Sequence, residues 1–259
     1  MKVFYSRILQ KAIRLNVINL NSKVLVVGGG PNDSETLKYL NFKNVVISNL
    51  SPHGNQTDYS PYVWKKLNLN DLTLADNSFD LVIVSAALHH LYSPHRGLCE
   101  MLRVSSKAVI FIESSDNFLS RLTRKINLVP EYEIDAILRD GKGGVENSHI
   151  PNHIYRWTRI EVKKTVNSYL PHSKNSFYFF HNYELPIARL SRSNSFFIKL
   201  FVTPIRLSKF ILTLLFPKQA NEFGVLIIKG DQLHPWLEGN LLSPELNLSY
   251  IREKYKTNL

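Results

Sequence analysis

The chain alternates between two apolar rhythms. Short runs rich in β-branched residues, bounded by polar or glycine-rich turns, predict buried parallel strands over residues 23–27, 45–48, 81–84 and 107–113. Between them, residues 34–40 and 94–104 predict helices. The N-terminal segment is also helical in pattern. Phe4, Ile8, Leu9, Ala12 and Ile13 share one side, and Arg7, Lys11 and Arg14 lie elsewhere. These cations interrupt any apolar core that a signal peptide would need. No stretch is long and apolar enough to predict a membrane-crossing helix.

Strands alternating with helices predict an α/β fold: a Rossmann-like, doubly wound, mostly parallel sheet with helices on both faces. The second half is less regular. Residues 116–127 and 131–139 read as short helices, and 140–158 as a loop holding Gly141, Gly143 and Gly144. Residues 158–169 form a helix that Thr158 and Glu161 open with capping-box spacing. Residues 176–185 read as a strand, and 222–230 as the last one. Just before that last strand, from Leu185 to Asn221, no acidic residue occurs. Arg189, Arg192, Lys199, Arg206, Lys209 and Lys218 alternate there with Phe196, Phe197, Phe201 and Phe210. This is read as a basic helical insert, either covering the sheet or lying on an anionic lipid surface. With no linker evident, residues 1–259 read as one domain: an N-terminal helix (1–20), a cofactor-binding half (21–115), acceptor-side helices and loop (116–175) and the insert (185–221).

Composition adds two constraints. The formal net charge of +11 points to a polyanionic partner, whether nucleic acid, an anionic membrane surface or a phosphorylated substrate. The single cysteine, Cys99, excludes an intrachain disulfide and a cysteine-based zinc cluster, and fits a reducing compartment.

Ligands of open parallel sheets bind at the carboxyl ends of the strands. The residues there are Gly28, Gly29, Gly30 and Asn32 after the first strand, Asn49 and Leu50 after the second, and then Asn68, Leu69, Ser85 and Ala86. Glycines let a ligand approach the backbone, and the following helix aims its amides at it. The amide of Asn49 suits ribose hydroxyls. Together these residues point to a nucleoside-bearing cofactor. No G-x-G-x-x-G occurs, since Asp33 stands where its last glycine would be, which disfavours a dinucleotide.

The same residues carry a resemblance. "VLVVGGGPND", "VVISNLSP", "LADNSFDLVIVSAALHHL" and "GLCEMLRV" resemble successive motifs of class I S-adenosylmethionine-dependent methyltransferases, over about residues 20–115. The resemblance implies that Gly28, Gly29 and Gly30 lie under the methionine part of S-adenosylmethionine. It places Asn49 at the ribose, Asn68 and Leu69 beside the adenine, and Ser85 and Ala86 by the sulfonium. The chain departs from the pattern at Val26 and Asn49, where acidic residues are usual, and at Asn32, where the turn usually ends in glycine.

Methyl transfer to a hydroxyl gains from a general base, most often histidine. His89, His90, His149 and His153 are the candidates, with His153, His149 and His90 chosen as catalytic. The last two of the four stand in "VENSHIPNHIYRWT", whose polar and aromatic side chains suit a polyhydroxyl acceptor. They lack a third ligand for zinc, and no metal is expected. The expected function is therefore a cytoplasmic S-adenosylmethionine-dependent methyltransferase acting on a hydroxyl of a small molecule or of a sugar or glycan intermediate, with peripheral contact at the inner face of a membrane. Two other readings stay open: a methyltransferase-like scaffold that has lost catalysis, motivated by the departures, and a nucleic-acid methyltransferase, suggested by charge alone. Against the last, the Asp/Asn-Pro-Pro-aromatic signature of amino methylation is absent where "SAALHH" stands.

Overall fold

The computed structural model describes residues 2–51, 56–184 and 208–255. Helix α1 (Lys2–Arg14) leads into β1 (Lys23–Val27), α2 (Pro31–Tyr39), β2 (Asn44–Asn49), β3 (Val63–Lys66) and β4 (Phe79–Ser85). Then come α3 (Pro94–Val104), β5 (Ser105–Ser114), α4 (Phe118–Lys125), α5 (Asp135–Asp140) and α6 (Arg159–Tyr169). Strands β6 (Ser176–Asn182) and β7 (Glu222–Ile228) follow, then β8 (Leu237–Asn240), β9 (Ser243–Leu246) and α7 (Leu248–Tyr255).

The main sheet has seven strands in the order β3-β2-β1-β4-β5-β7-β6. Strands β1 to β5 pair in parallel, and β7 runs antiparallel between β5 and β6. The strand alternation decides which helices cover which face. Val24 and Val26 of β1 pack with Phe4, Ile8 and Leu9 of α1 and Leu37 of α2, whereas Leu25 and Val27 pack with Leu98 and Leu102 of α3 and Val162 of α6. Both faces are therefore dry, which is why the strands read as continuous apolar runs. Helix α1 lies so close to β7 that a Cβ at Gly224 would stand 2.3 Å from Ile8 Cδ1.

Some expectations are corrected. Strand β3 is a four-residue edge strand, largely exposed, so burial left no apolar run to mark it. Residues 131–134 are not helical. They run beside residues 152–154 through the Tyr132–His153 bridge, Ile154 N–H donating to Glu131 O and Glu133 N–H to Asn152 O. Strand β7 is not the last strand, because the β8–β9 hairpin and α7 follow it. Of the basic stretch 185–221, residues 185–207 lie outside the described residues, and 208–215 are helical. Among the described residues, no helix is long and apolar enough to cross a membrane.

Asp33 sits in the first turn of α2, where its Oδ2 accepts the Gly30 N–H at 2.9 Å. Burial pushes its carboxyl up to about 6, against the pull of that bond and of its own backbone N–H. The folded state thus keeps a proton that the unfolded state releases near 3.8. Stability from this group is present below the unfolded pKa and is lost as pH rises through about 6. Asp33→Asn keeps an acceptor for Gly30 and removes the titration. It should match the wild type in urea unfolding near pH 4 and exceed it by about 2 kcal/mol at pH 7.

Candidate functional site

The carboxyl ends of β1, β2 and β4 converge on a crevice of about 160 Å³. Gly28, with φ +62°, turns the chain out of β1. A Cβ there would meet Ala87 Cβ at 2.4 Å, so the absence of a side chain lets the β1 and β4 turns touch. Gly29 N–H donates to Ser48 O, and Asn49 Nδ2 donates to Gly29 O at 3.2 Å, which stitch the glycine turn to β2. The Oδ1 of Asn49 accepts the Leu50 N–H. Asn49 thus shapes the crevice while its amide keeps a second N–H and a second lone pair. Leu50, Leu67 and Leu69 give the crevice an apolar wall.

The turn after β4 is held by a buried carboxylate. Glu113, near the end of β5, accepts the Ala87 and Leu88 N–H groups on Oε1 at 2.9 and 2.7 Å. Its Oε2 meets His89 Nδ1 at 2.6 Å. This clamp holds Ala86 at φ +51°, an unusual conformation for a residue with a Cβ, and ends in the short turn Leu88–His90. His89 is buried, and His90 lines the crevice. The carboxylates of Glu113 and Glu133 outweigh burial and raise the His89 pKa to about 10, whereas burial and the neighbouring His89 charge lower that of His90.

A roof comes from the loop between α5 and α6. Glu146 and Asn147 both have positive φ, at +49° and +61°. Asn70 Nδ2 donates to Glu146 Oε1, and Asn147 Nδ2 donates to Ser51 Oγ at 3.1 Å. Gly143 and Gly144 complete the roof, and the Gly144 backbone also bonds the His90 ring. Below it, Glu133 places Oε1 3.5 Å from His89 Nε2 and Oε2 3.4 Å from His90 Nε2. Asn152, itself buried, donates from Nδ2 to Glu133 Oε2 at 3.4 Å.

Of the residues expected from sequence, Gly28, Asn49, Leu50, Leu69, Ala86 and His90 line the crevice. Gly29, Gly30, Asn32, Asn68 and Ser85 belong to the surrounding turns and strand end and do not line it. His149 and His153 are exposed and do not line it; His153 instead packs edge-on against Tyr132. Sequence reasoning missed Glu133 as a site residue, because only the bridge to residues 152–154 brings it over the histidines. Another cleft, of about 870 Å³, lies at the opposite end of the sheet. There the Lys229 ammonium is occupied by the carbonyls of Leu102 and Ser105 and by Asn77, a structural rather than chemical arrangement.

Glu113→Ala should cost about 3–5 kcal/mol in denaturant unfolding, because it strands the buried His89 and two backbone N–H groups. Glu133→Ala, half-exposed, should cost far less in the same measurement.

The comparisons agree with this architecture. Residues 27–112 match the family model described as methyltransferase domain. No curated protein matches the sequence. Among solved structures, a protein of Bacillus halodurans C-125 assigned as a methyltransferase superposes with a TM-score of 0.53 at 16% identity, covering 85% of this chain and 97% of that one. A SAM-dependent methyltransferase from Archaeoglobus fulgidus superposes with a TM-score of 0.50 at 12% identity, covering 88% of this chain and 94% of that one. Residues 27–112 are therefore similar to a methyltransferase domain, and the chain over most of its length shares the Rossmann-like fold of these two structures.

Proposed function

We propose that the protein transfers a methyl group from S-adenosylmethionine to a hydroxyl of a small molecule or of a sugar in a glycan intermediate. The observation that carries this reading is the crevice where β1, β2 and β4 end, with His90 set in its lining. The donor set fits the cofactor. The Gly28 turn offers bare backbone, Asn49 offers amide hydrogen bonds to ribose hydroxyls, and Leu50, Leu67 and Leu69 offer an apolar slot for a purine. When bound, S-adenosylmethionine supplies the electrophilic methyl group.

The chain's own residues then have two tasks. One is alignment, since displacement at a methyl carbon needs the acceptor oxygen in line behind it. The roof residues Glu146 and Asn147 offer hydrogen bonds to a polyhydroxyl acceptor and exclude water from the crevice. The other is handling the acceptor's proton. His90 and Glu146 are the titratable side chains among the lining residues, and His90 belongs to the cluster with His89 and Glu133. The departures at Val26, Asn32 and Asn49 leave this machinery in place, which favours an enzyme over a scaffold.

A second reading concerns location. The described helix at 208–215 exposes Phe210, Ile211, Leu214 and Leu215, and Phe216 follows. Helix α4 exposes Phe118 and Leu122 among Arg121, Arg124 and Lys125. The start of α4 is tied to the turn that follows the 208–215 helix by Leu119 N–H donating to Gln219 Oε1 and Asn117 Nδ2 to Ala220 O. Exposed apolar side chains on both helices, with basic residues along α4, suit peripheral attachment to an anionic membrane, which would present a lipid-linked acceptor.

Calorimetry should detect micromolar-range binding of S-adenosylhomocysteine, about 8 kcal/mol; no heat at millimolar ligand would restore the scaffold. His90→Ala should lower turnover by about a hundredfold while sparing that affinity, and His153→Ala should leave both unchanged. In vesicle sedimentation the protein should pellet with anionic but not neutral lipid at low salt. Phe210→Asp with Leu214→Asp should release it.

A further inference from the structure

We propose that His89, His90 and Glu133 bind one divalent transition cation of the zinc type beside the crevice. The proposal deepens the methyl-transfer reading and takes its catalytic meaning from it, though the site stands on its own geometry. One ligand atom from each residue lies within 4.8 Å of the others. The spacing separates ligands from ordinary hydrogen bonds. The two contacts of Glu133 with the imidazoles, 3.5 and 3.4 Å, are longer than good N–H···O bonds. Each is made by a different carboxylate oxygen, Oε1 toward His89 and Oε2 toward His90, at close to the separation of neighbouring ligand atoms around a tetrahedral metal, about 3.3–3.4 Å. By contrast, the outward contact of His89 Nδ1 with Glu113 Oε2 is short, at 2.6 Å.

That outward bond is what a metal-binding histidine needs. A carboxylate on one ring nitrogen fixes the tautomer and leaves the lone pair of the other facing the cation. Glu113 does this for His89 and is itself fixed by two backbone N–H groups. The His90 ring also bonds the Gly144 backbone. Two carboxylates, Glu113 and Glu133, supply the two negative charges that a dication balances when both imidazoles are neutral. A further oxygen is at hand: Asn152 Oδ1 is buried without a partner, on the amide whose Nδ2 bonds Glu133. Two imidazoles and one carboxylate favour zinc, cobalt or iron over magnesium or calcium.

Three protein ligands leave a position for the acceptor. With the cation bound, His90 serves as a ligand instead of a base, and a hydroxyl in the open position becomes more acidic and loses its proton to solvent. Its oxygen then forms the new C–O bond as the methyl–sulfur bond breaks, and that electron pair stays on sulfur. The site would thus select acceptors able to present an alcohol, or a vicinal diol, to a cation.

The test uses the untagged full chain, stripped with a chelator and titrated with Co²⁺. One equivalent should produce the visible absorption of a low-coordinate cobalt site, and Zn²⁺ should displace it. His90→Ala and Glu133→Gln, both at partly exposed positions, should each weaken cobalt binding at least a hundredfold with unfolding curves unchanged. His153→Ala should bind like the wild type. No cobalt spectrum, or one that survives both substitutions, would overturn the proposal. Binding of S-adenosylhomocysteine, measured on the stripped protein, separates the two claims. Cobalt bound by the cluster without cofactor affinity would sink methyl transfer and leave the metal site standing; cofactor affinity without cobalt binding would do the reverse.

Discussion

The site depends on one buried carboxylate. Glu113 lies on the interior strand β5 with almost no contact with water. An ionised group there is tolerable only if its lone pairs are satisfied, and the N–H groups of Ala87 and Leu88 and the His89 ring do this. The same three bonds draw the chain after β4 into a tight turn, hold Ala86 at a positive φ and set the two histidine rings side by side, with both Nε2 atoms facing Glu133. Stability and chemistry are therefore coupled here. The bonds that make Glu113 bearable are also the bonds that set the floor of the crevice.

The crevice has two walls of different character. The floor belongs to the parallel sheet, where residues with almost no exposure pack on both faces and little can move without opening a void. The roof belongs to a loop that meets the floor mainly through polar contacts: Asn70 with Glu146, Ser51 with Asn147, and His90 with Gly144, while Glu133, from the segment before α5, meets both histidines. Such contacts are individually modest and exchange readily with water. A rigid floor under an adaptable roof suits a site that must admit a cofactor and an acceptor and then exclude solvent.

Long-range pairing also explains what the loop before α6 contributes. "NHIYRW" carries polar and aromatic residues, yet its exposed His153 serves packing with Tyr132 rather than the crevice. Its Asn152 and its backbone instead steady the segment that delivers Glu133. Tyr155 in turn donates to Glu161, which completes the α6 capping box by accepting the Thr158 N–H, and meets His95 and Trp157 edge-on. The loop's chemistry is thus spent largely on building its own frame.

By itself the sequence determined the alternating α/β order, strands β1, β2, β4 and β5, the helices over them and the glycine turn. Each is written locally, in β-branched runs, helical spacing and residues that only a turn tolerates. It marked Gly28, Asn49, Leu50, Leu69, Ala86 and His90 as crevice residues because strand ends can be read from the pattern. It did not mark β3 or the β8–β9 hairpin, whose residues are exposed and carry little apolar signal. The partnership of Glu113 and Glu133 with the histidines was decided only in three dimensions. These residues are 24 and 43 or 44 positions apart, by the numbering. Nothing in a local window records a contact that β5 and the Tyr132–His153 bridge create by folding back over the turn after β4.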